Sequence, residues 1–165
     1  AMVKELRART GAGVMDSKRA LEASGGDLAR AEEILRQQGL VRAAKKAERL
    51  AEQGLIDAYI HAGGRIGSMV EVNCETDFVA RTEDFRRLAH DIAMQVAATN
   101  PKVVGNEPEL AAGGAGAQIP EEDILLRQPF IKDPSMTVDD LVKSTIARVG
   151  ENIVIRRFAR FELGA

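Results

Sequence analysis

The first 39 residues carry apolar positions at helical spacing in three short segments separated by glycines. Residues 2–9 form the first segment and residues 14–24 the second. Each stops at a glycine run, because glycine readily takes the positive φ of a helix end. Asp27 is a good N-cap for the third segment, which Gly39 is expected to close. The pattern therefore predicts three short helices over residues 1–39.

This N-terminal module is near the lower size limit for independent folding. It resembles the small three-helix fold of ubiquitin-associated domains, whose usual work is protein binding. The alternative is a helical extension packed on the main domain.

Val14 and Met15 begin the second helix beside a turn, so one of the two is expected to face outward, where methionine adapts well to a partner. The alternative is that both side chains simply pack inside.

Residues 40–53 are predicted to form a helical linker to the main domain. Leucines and alanines recur at helical spacing on one side, while Arg42, Lys45, Lys46 and Arg49 fall mostly on the other. A solvated face is favoured over RNA contact for this basic side. The reason is that the segment has no aromatic residue for base stacking, and two glutamates dilute its field.

The main domain, residues 54–165, opens with a hairpin signal. Residues 55–61 and 65–74 alternate in polarity around a Gly-Gly pair. One face of the second strand is expected to be buried, and it holds Ile66, Ser68, Val70, Val72 and Cys74. Cys74 is interpreted as a small buried hydrophobe rather than a nucleophile, since the sequence places neither histidine beside it.

The corner that follows this strand leaves one aromatic residue unclaimed by the core. The strand breaks at Thr76-Asp77 and presents Phe78 just before a helix that Thr82 is expected to cap. That helix has a continuous apolar stripe of its own, which starts at Phe85. Because the core can close on this stripe, Phe78 is predicted to stay available for a partner.

The chain then loses its periodicity over residues 103–123, where glycine and proline predict a flexible loop. Residues 125–131 are expected to form an edge strand, since Pro129 cannot donate to a ladder. Asp133-Pro134 is expected to turn the chain. Thr137 is predicted to cap the next helix, and Gly150 to end it.

The final strand is predicted to run from residue 153 to about residue 163, with side chains alternating between two faces. One face is expected to hold Ile153, Ile155, Ala159, Phe161 and Leu163, interrupted by Arg157. The opposite face is mostly charged but carries Phe158, which is expected to lie under a loop or in an interface. The whole pattern predicts an α+β fold: a three-helix module (1–39), a helical linker (40–53) and an antiparallel sheet covered by helices (54–165).

The composition permits a folded core and indicates no strongly charged partner. The 165 residues are 45% hydrophobic and 29% charged, and the net charge is −2, so nothing global attracts the chain to nucleic acid or membrane. No apolar run approaches the length of a membrane span, and no signal peptide is visible. Cys74 is the one cysteine, which excludes an internal disulfide and agrees with a reducing, cytoplasmic location.

The sequence contains no motif typical of catalysis, metal binding or nucleotide binding. It has no Walker loop, no His/Cys ligand set and no serine-centred elbow. Glu71, Glu75 and Asp77 lie close in sequence, but a solvated acidic loop is favoured over a cation site because the fixed ligand spacing is missing. The sequence therefore predicts a binding protein that is not an enzyme and needs no cofactor.

Short motifs along almost the whole chain carry a resemblance to one known family. They are Lys-Glu-Leu-Arg at 4–7, Thr-Gly-Ala-Gly at 10–13, Ala-Ala-Lys-Lys-Ala at 43–47, Glu-Val-Asn-Cys-Glu-Thr-Asp-Phe-Val-Ala at 71–80, Gln-Pro-Phe at 128–130 and Gly-Glu-Asn-Ile at 150–153. In this order they are similar to the elongation factor Ts family of bacteria and organelles, in its short form. That family exchanges guanine nucleotides during translation elongation.

The resemblance implies a partner and a set of contact residues. Family members bind the GDP form of elongation factor Tu and promote GDP release, so that GTP can load. The resemblance implies that the Mg²⁺ site of that partner is disturbed by Thr76, Asp77, Phe78 and Val79, with Phe78 inserted between elements of its G domain. It also implies that Lys4, Val14 and Met15 touch the same domain near the nucleotide base.

The chain departs from longer family members at residues 103–123, where it lacks the extended helical hairpin that many of them insert. The resemblance leaves open whether the chain is a monomer or, like some short members, a homodimer. Phe158 and the final strand are the first candidates for self-association. Two other functions stay open: a non-exchanging adaptor that binds through residues 2–39, and RNA binding through residues 42–49.

Overall fold

A computed structural model of the chain describes residues 1–106 and 119–165. Six α-helices and five β-strands are named here in chain order. They are α1 (Met2–Thr10), α2 (Val14–Ala23), α3 (Leu28–Lys46), β1 (Gln53–Ile60), β2 (Ile66–Cys74), α4 (Asp77–Ala80), α5 (Glu83–Thr99), β3 (Pro129–Phe130), β4 (Asp133–Thr137), α6 (Val138–Val149) and β5 (Ile153–Glu162).

The first three helices pack around a small core of their own. Its buried members are Leu6, Ala20, Leu21, Ala31 and Leu35. Gly11 ends α1 in the left-handed conformation, at φ 70°. The side chain of Asp27 caps α3 by accepting a hydrogen bond from the Arg30 amide at 3.0 Å. The predicted helix starts and glycine stops of α1 and α2 are therefore confirmed.

The prediction that Gly39 closes the third helix is wrong. Helix α3 continues through Gly39 to Lys46, so the third helix and the first half of the expected linker are one element. The reason is tertiary, because a Cβ at Gly39 would lie only 3.2 Å from Cβ of Ala147 in α6. Glycine here permits close helix packing and does not end the helix. The rest of the linker is not helical, since β1 already begins at Gln53.

The main sheet is antiparallel with the strand order β1-β2-β5. Val70, Val72 and Cys74 are fully buried on its inner face, where α5 and α6 cover the sheet. Ser68 lies on the same face, and its hydroxyl donates to the carbonyl oxygen of Ala93 at 2.5 Å. The hairpin, its buried face and the α+β class are as the sequence predicts.

The predicted alternation of the final strand is wrong beyond its first residues. The register of β5 against β2 shifts between Glu71 and Val72, which leaves Arg156 as an extra residue in a β-bulge. A bulge moves every later side chain to the opposite face. Phe158 therefore pairs with Val70 and packs against the core, while Phe161 is 75% exposed.

The bulge also adds Ala159 and Phe161 to the outward surface of the sheet. We call it the outer face, and it comprises Ile56, Ala58, Ile60, Met69, Ala159 and Phe161. All six side chains are exposed. Phe158, the expected candidate for self-association, is not part of it.

The segment from 125 to 131 is not an edge strand of the main sheet. Leu125–Arg127 forms a 3₁₀ turn, and only Pro129–Phe130 pairs, with β4, in a separate two-stranded sheet. Asp133 and Pro134 begin β4 and do not turn the chain, which turns at residues 131–132. The side chain of Leu125 is fully buried, so core packing wins over strand pairing here.

Both ends of the predicted loop 103–123 are structured. Val103 bridges Ile124, and Val104 is buried. Residues 107–118, where most of that prediction falls, lie outside the described residues.

Both long helices of the main domain begin at the predicted caps, and the second also ends at the predicted glycine. The hydroxyl of Thr82 caps α5 by accepting from the Phe85 amide, and Asn100 ends it in the left-handed conformation. Thr137 and Asp140 form a reciprocal capping box at the start of α6, and Gly150 ends that helix at φ 77°. These caps set the directions in which the chain enters and leaves the sheet.

Gly54 offers a test of the close approach between β1 and β2. It has φ 143°, and a Cβ there would lie 2.0 Å from the Val72 carbonyl oxygen. We expect Gly54→Ala to lower the free energy of unfolding by about 3 kcal/mol, since backbone must move. Urea unfolding followed by circular dichroism measures this.

Gly67→Ala is the matched control, because the one close contact of its added Cβ is the flexible end of Ile60, at 2.7 Å, and the Tyr59 carbonyl oxygen lies at an ordinary 3.6 Å. The Ile60 side chain can move aside, so the expected cost is about 1 kcal/mol or less. Equal losses for the two variants would contradict this account of Gly54.

Candidate functional site

The corner between β2 and α5 presents one exposed aromatic side chain. Strand β2 ends at Cys74, and the hydroxyl of Thr76 caps the single turn α4 by accepting from the Val79 amide at 3.3 Å. Val79 and Ala80 are buried against the sheet and α5. Phe78, on the opposite side of the turn, is 81% exposed. The predicted exposure of Phe78 is confirmed.

A carboxylate from a distant part of the chain binds this corner. The Glu151 Oε1 atom accepts hydrogen bonds from the Glu75 amide at 3.1 Å and the Thr76 amide at 2.9 Å. The Thr76 hydroxyl donates to Glu151 Oε2 at 2.7 Å. Three donors thus converge on one carboxylate, and hydrogen bonds to an ionised acceptor are the stronger kind.

The loop that carries Glu151 also holds the end of the linker. Asn152 is buried, and its amide nitrogen donates to the carbonyl oxygens of Arg49 at 2.8 Å and Ala47 at 3.4 Å. Arg49 in turn forms an ion pair with Glu75, at 3.8 Å. The corner, the linker and the start of β5 are therefore joined at one point.

Cys74 lies inside this junction and is not a reactive thiol. Its Sγ donates to the Thr76 carbonyl oxygen at 3.1 Å, and its side chain is fully buried. Burial, followed by the charge of Glu151, raises the pKa of the Cys74 thiol. Both effects disfavour the thiolate, which is the nucleophilic form.

The three acids near the corner each have a partner of their own. Hydrogen bonds from Asn73 and then Arg157 hold the pKa of Glu71 below its usual value. Glu75 pairs with Arg49, and Asp77 pairs with Arg81. In the described part of the chain no group of three or more histidine, cysteine or acidic side chains could hold a metal ion.

The predicted residues of the N-terminal module are accessible, and they lie on α1 and α2, not on the corner. Lys4, Val14 and Met15 are exposed, so both members of the Val14-Met15 pair face outward rather than one. Within residues 1–106 and 119–165, no hydrogen bond or ion pair joins these three to the Thr76–Val79 turn. The structure therefore presents two separate exposed sets.

Arg148 at the end of α6 connects the module to the main domain. One guanidinium nitrogen donates to the Arg9 carbonyl oxygen at 3.3 Å, and another lies 3.7 Å from the Asp84 carboxylate. Its side chain also fills the space beside Gly11, where a Cβ would lie 3.2 Å from Arg148 Cγ. The exposed surface of the module is thereby attached to the helix pair behind the sheet.

A groove of about 370 Å³ lies between the N-terminal helices and α6. Four arginines line it, and each has a carboxylate partner; the pairs are Arg9–Glu5, Arg36–Glu33, Arg42–Asp16 and Arg148–Asp84. The groove therefore presents balanced charge and no built anion site. Because Arg42 and Arg49 are both ion-paired, the basic side of the linker is also less available to RNA than its sequence indicates.

Sequence reasoning missed Glu151, Asn152, Arg148 and the outer face. Glu151 is 75 positions from Thr76, and no local pattern links the two. The outer face was hidden because the bulge at Arg156 depends on pairing with β2. For Glu151, the available signal was its place directly after a helix-ending glycine.

Comparison with known proteins gives a consistent result. Residues 32–112 match the family model described as Elongation factor TS. The chain is 52% identical over 190 positions to the elongation factor Ts of Carboxydothermus hydrogenoformans, covering 99% of this chain and 88% of that protein. It is 50% identical over 189 positions to that of Moorella thermoacetica (98% and 93% covered). For Herpetosiphon aurantiacus the figures are 48% over 190 positions (99% and 96%).

These alignments are longer than the 165 residues of the chain, so the relatives carry residues that this chain lacks. Among the described residues, no helix is both long enough and apolar enough to cross a membrane.

Cys74 gives a direct test of how closed the corner is. We expect a thiol reagent at pH 8 to label it about 100-fold more slowly in the native chain than in the urea-unfolded chain, because the buried thiol must open first. Because the pKa of the native Cys74 thiol is raised, the neutral thiol contributes stability at pH values below the ordinary thiol pKa. That stabilisation is lost as the pH rises through the higher native value. Native labelling within tenfold of the unfolded rate would contradict a closed corner.

Proposed function

The chain belongs to the elongation factor Ts family, and on that premise we propose that it binds elongation factor Tu in its GDP-bound and nucleotide-free forms and promotes GDP release. Membership makes it a nucleotide exchange factor of translation elongation. The observation that carries the finer proposal is the exposure of Phe78. Its side chain is 81% exposed, and the turn that carries it is capped by Thr76, whose hydroxyl is hydrogen-bonded to Glu151. Such a factor works in the cytoplasm, by binding alone, without a cofactor or catalytic residue of its own.

Phe78 acts as a wedge in this proposal. A large apolar side chain that the fold leaves in water gains free energy when a partner covers it. Thr76, Asp77, Phe78 and Val79 approach the Mg²⁺ site of elongation factor Tu, with Phe78 inserted between elements of its G domain. Loss of the Mg²⁺ then removes the charge that holds the GDP phosphates.

The energetics require a second contact. Binding of the exchange factor and of GDP weaken one another by the same factor, since coupling is reciprocal. A 10⁴-fold weakening of GDP needs about 5.5 kcal/mol of differential binding, whereas burying one phenylalanine contributes about 1.5–3 kcal/mol. Lys4, Val14 and Met15 supply part of the remainder by touching the same G domain near the nucleotide base.

The division of labour follows the three parts of the chain. Residues 1–39 are the binding module and residues 54–165 the domain that carries the wedge. Residues 40–53 connect them. The continuity of α3 through Gly39, together with Arg148, supports a stiff connection between the two contact surfaces. Direct contact with nucleic acid or membrane has no place in this arrangement.

The outer face supports a homodimer. It joins exposed apolar side chains of all three strands, among them Ile60, Met69 and Phe161, into one surface. Beside it, Arg157 and Glu71 form an ion pair at 2.9 Å, so the rim carries both charge signs. An apolar surface with both charge signs at its edge can pair with a second copy of itself under two-fold symmetry. We therefore assign this face to self-association in place of Phe158.

Phe78→Ala tests the wedge. The measurement is the release of labelled GDP from elongation factor Tu, followed by stopped flow. The acceleration produced by the variant should be at least about tenfold smaller than that produced by the unsubstituted chain, because about 1.5 kcal/mol or more of differential binding is lost. Leu50→Ala is the control, because it removes a comparably exposed side chain, 74% accessible, from the linker.

Full acceleration by Phe78→Ala would exclude the wedge. A pulldown in which the chain does not bind elongation factor Tu but binds another protein through residues 2–39 would favour the adaptor function over nucleotide exchange.

Phe161→Glu tests the dimer. Sedimentation velocity at micromolar concentration should show a dimer for the unsubstituted chain and a monomer for the variant, because the charge would be buried without a partner. Leu50→Glu, which adds the same charge at an exposed site away from the outer face, should leave the dimer intact. A monomeric unsubstituted chain would refute the assignment.

A further inference from the structure

We propose that Glu151 is a positioning residue for nucleotide exchange: it fixes the direction of Phe78 through the Thr76 hydroxyl. The inference rests on the proposed function, since it concerns how the wedge is aimed. Glu151 lies in the loop between α6 and β5 and contacts the corner from a different element.

The hydroxyl of Thr76 transmits the contact. It donates its hydrogen to Glu151 Oε2 at 2.7 Å and accepts the Val79 amide at 3.3 Å. A hydroxyl has one hydrogen to donate, so giving it to the carboxylate leaves its lone pairs for the amide that starts α4. The carboxylate thereby sets the orientation of the cap, and the cap sets the turn on which Phe78 stands.

The second carboxylate oxygen fixes the backbone before the turn. The amides of Glu75 and Thr76 both donate to Glu151 Oε1, directly after the last residue of β2. They belong to the two residues where the chain leaves the strand, and their direction determines where α4 begins. One side chain therefore fixes both the entry into the corner and its helical cap.

Only an ionised carboxylate suits all three donors. A glutamine at 151 keeps one oxygen for the two amides, but its nitrogen would donate toward the Thr76 hydroxyl. The Thr76 hydroxyl would then accept from both the glutamine nitrogen and the Val79 amide, and its own hydrogen would lose the acceptor that Glu151 Oε2 provides. Glu151→Gln is thus nearly isosteric and still perturbs the cap, which separates positioning from packing.

The backbone on both sides of Glu151 is fixed by neighbouring contacts. Gly150 ends α6 in the left-handed conformation, and the buried Asn152 binds two carbonyl oxygens of the linker. Glu151 therefore projects from a loop fixed on both sides. Its loss should loosen α4 without displacing the loop, so the effect should appear in the exchange step before it appears in global stability.

The test compares Glu151→Gln in two backgrounds, with and without Phe78→Ala, by the concentration dependence of GDP release from elongation factor Tu. We expect the maximal rate to fall about tenfold, the size of one lost charge-assisted hydrogen bond. The half-saturating concentration should change by less than about threefold, since the N-terminal contacts are untouched. In the Phe78→Ala background Glu151→Gln should have no further effect, because its target is gone.

Three further variants sharpen the test. Thr76→Val removes the same hydrogen bond by deleting its donor, the Thr76 hydroxyl, and should reproduce the fall in the maximal rate. This variant keeps the proposal testable if a Glu151 variant fails to fold. Thr76→Ser retains the hydroxyl and should preserve most of the rate. Glu48→Gln is the matched control, because Glu48 is exposed and has no hydrogen bond or ion pair within the described residues.

Labelling of Cys74 supplies a readout inside the corner. Its thiol donates to the Thr76 carbonyl, so Glu151→Gln should raise the native labelling rate several-fold with an unchanged urea midpoint. An equal fall of the maximal rate in both Phe78 backgrounds would overturn the positioning role, and so would an unchanged rate in Glu151→Gln. If the unsubstituted chain itself fails to accelerate GDP release, the proposed function fails first, and the Cys74 labelling still decides whether Glu151 holds the corner.

Discussion

The hydrogen bonds of a three-residue loop, from Gly150 to Asn152, hold together parts of the chain that are far apart in sequence. Glu151 accepts hydrogen bonds from the two amides that follow β2, and Asn152 donates hydrogen bonds to two carbonyl oxygens of the segment before β1. Backbone groups at the ends of strands and helices lack regular partners and need others when they are buried. The loop supplies those partners, so it is at once a structural junction and the support of the exposed aromatic turn.

The β-bulge at Arg156 is the second constraint, and it decides which side of the sheet is the core. Before the bulge Ile155 packs inward opposite Val72, and beyond it Phe158 does so opposite Val70. Without the extra residue, Phe158 would face solvent and Phe161 the core. The bulge thus packs Phe158 against the core and leaves Phe161 exposed. Arg156 itself is anchored, since its Nε donates to the Asn73 side chain at 3.2 Å.

Features with local causes could be predicted from the sequence. The caps at Asp27, Thr82 and Thr137 depend on residues within one turn, and the exposure of Phe78 followed from an apolar stripe beginning at Phe85. Features that depend on distant neighbours could not be predicted. Gly39 stays helical because it meets Ala147, 108 positions later, and the bulge exists only in register with β2. Leu125 left its expected strand because the core buries it.

Phe78 can disturb the structure of a partner only if the turn that carries it deforms less than that structure does. A loosely held Phe78 would be covered by the partner at the cost of ordering the turn, and that cost subtracts from the differential binding available to weaken GDP. A turn already fixed by a cap and a three-donor carboxylate has little left to order. The same reasoning applies to the N-terminal module. When α3 and Arg148 hold it stiffly, its contact and that of Phe78 become parts of one binding event, in which the second contact forms at high effective concentration. In the proposed mechanism the distance between the two surfaces matters as much as the residues on them, and the close packing at Gly39 helps to set that distance.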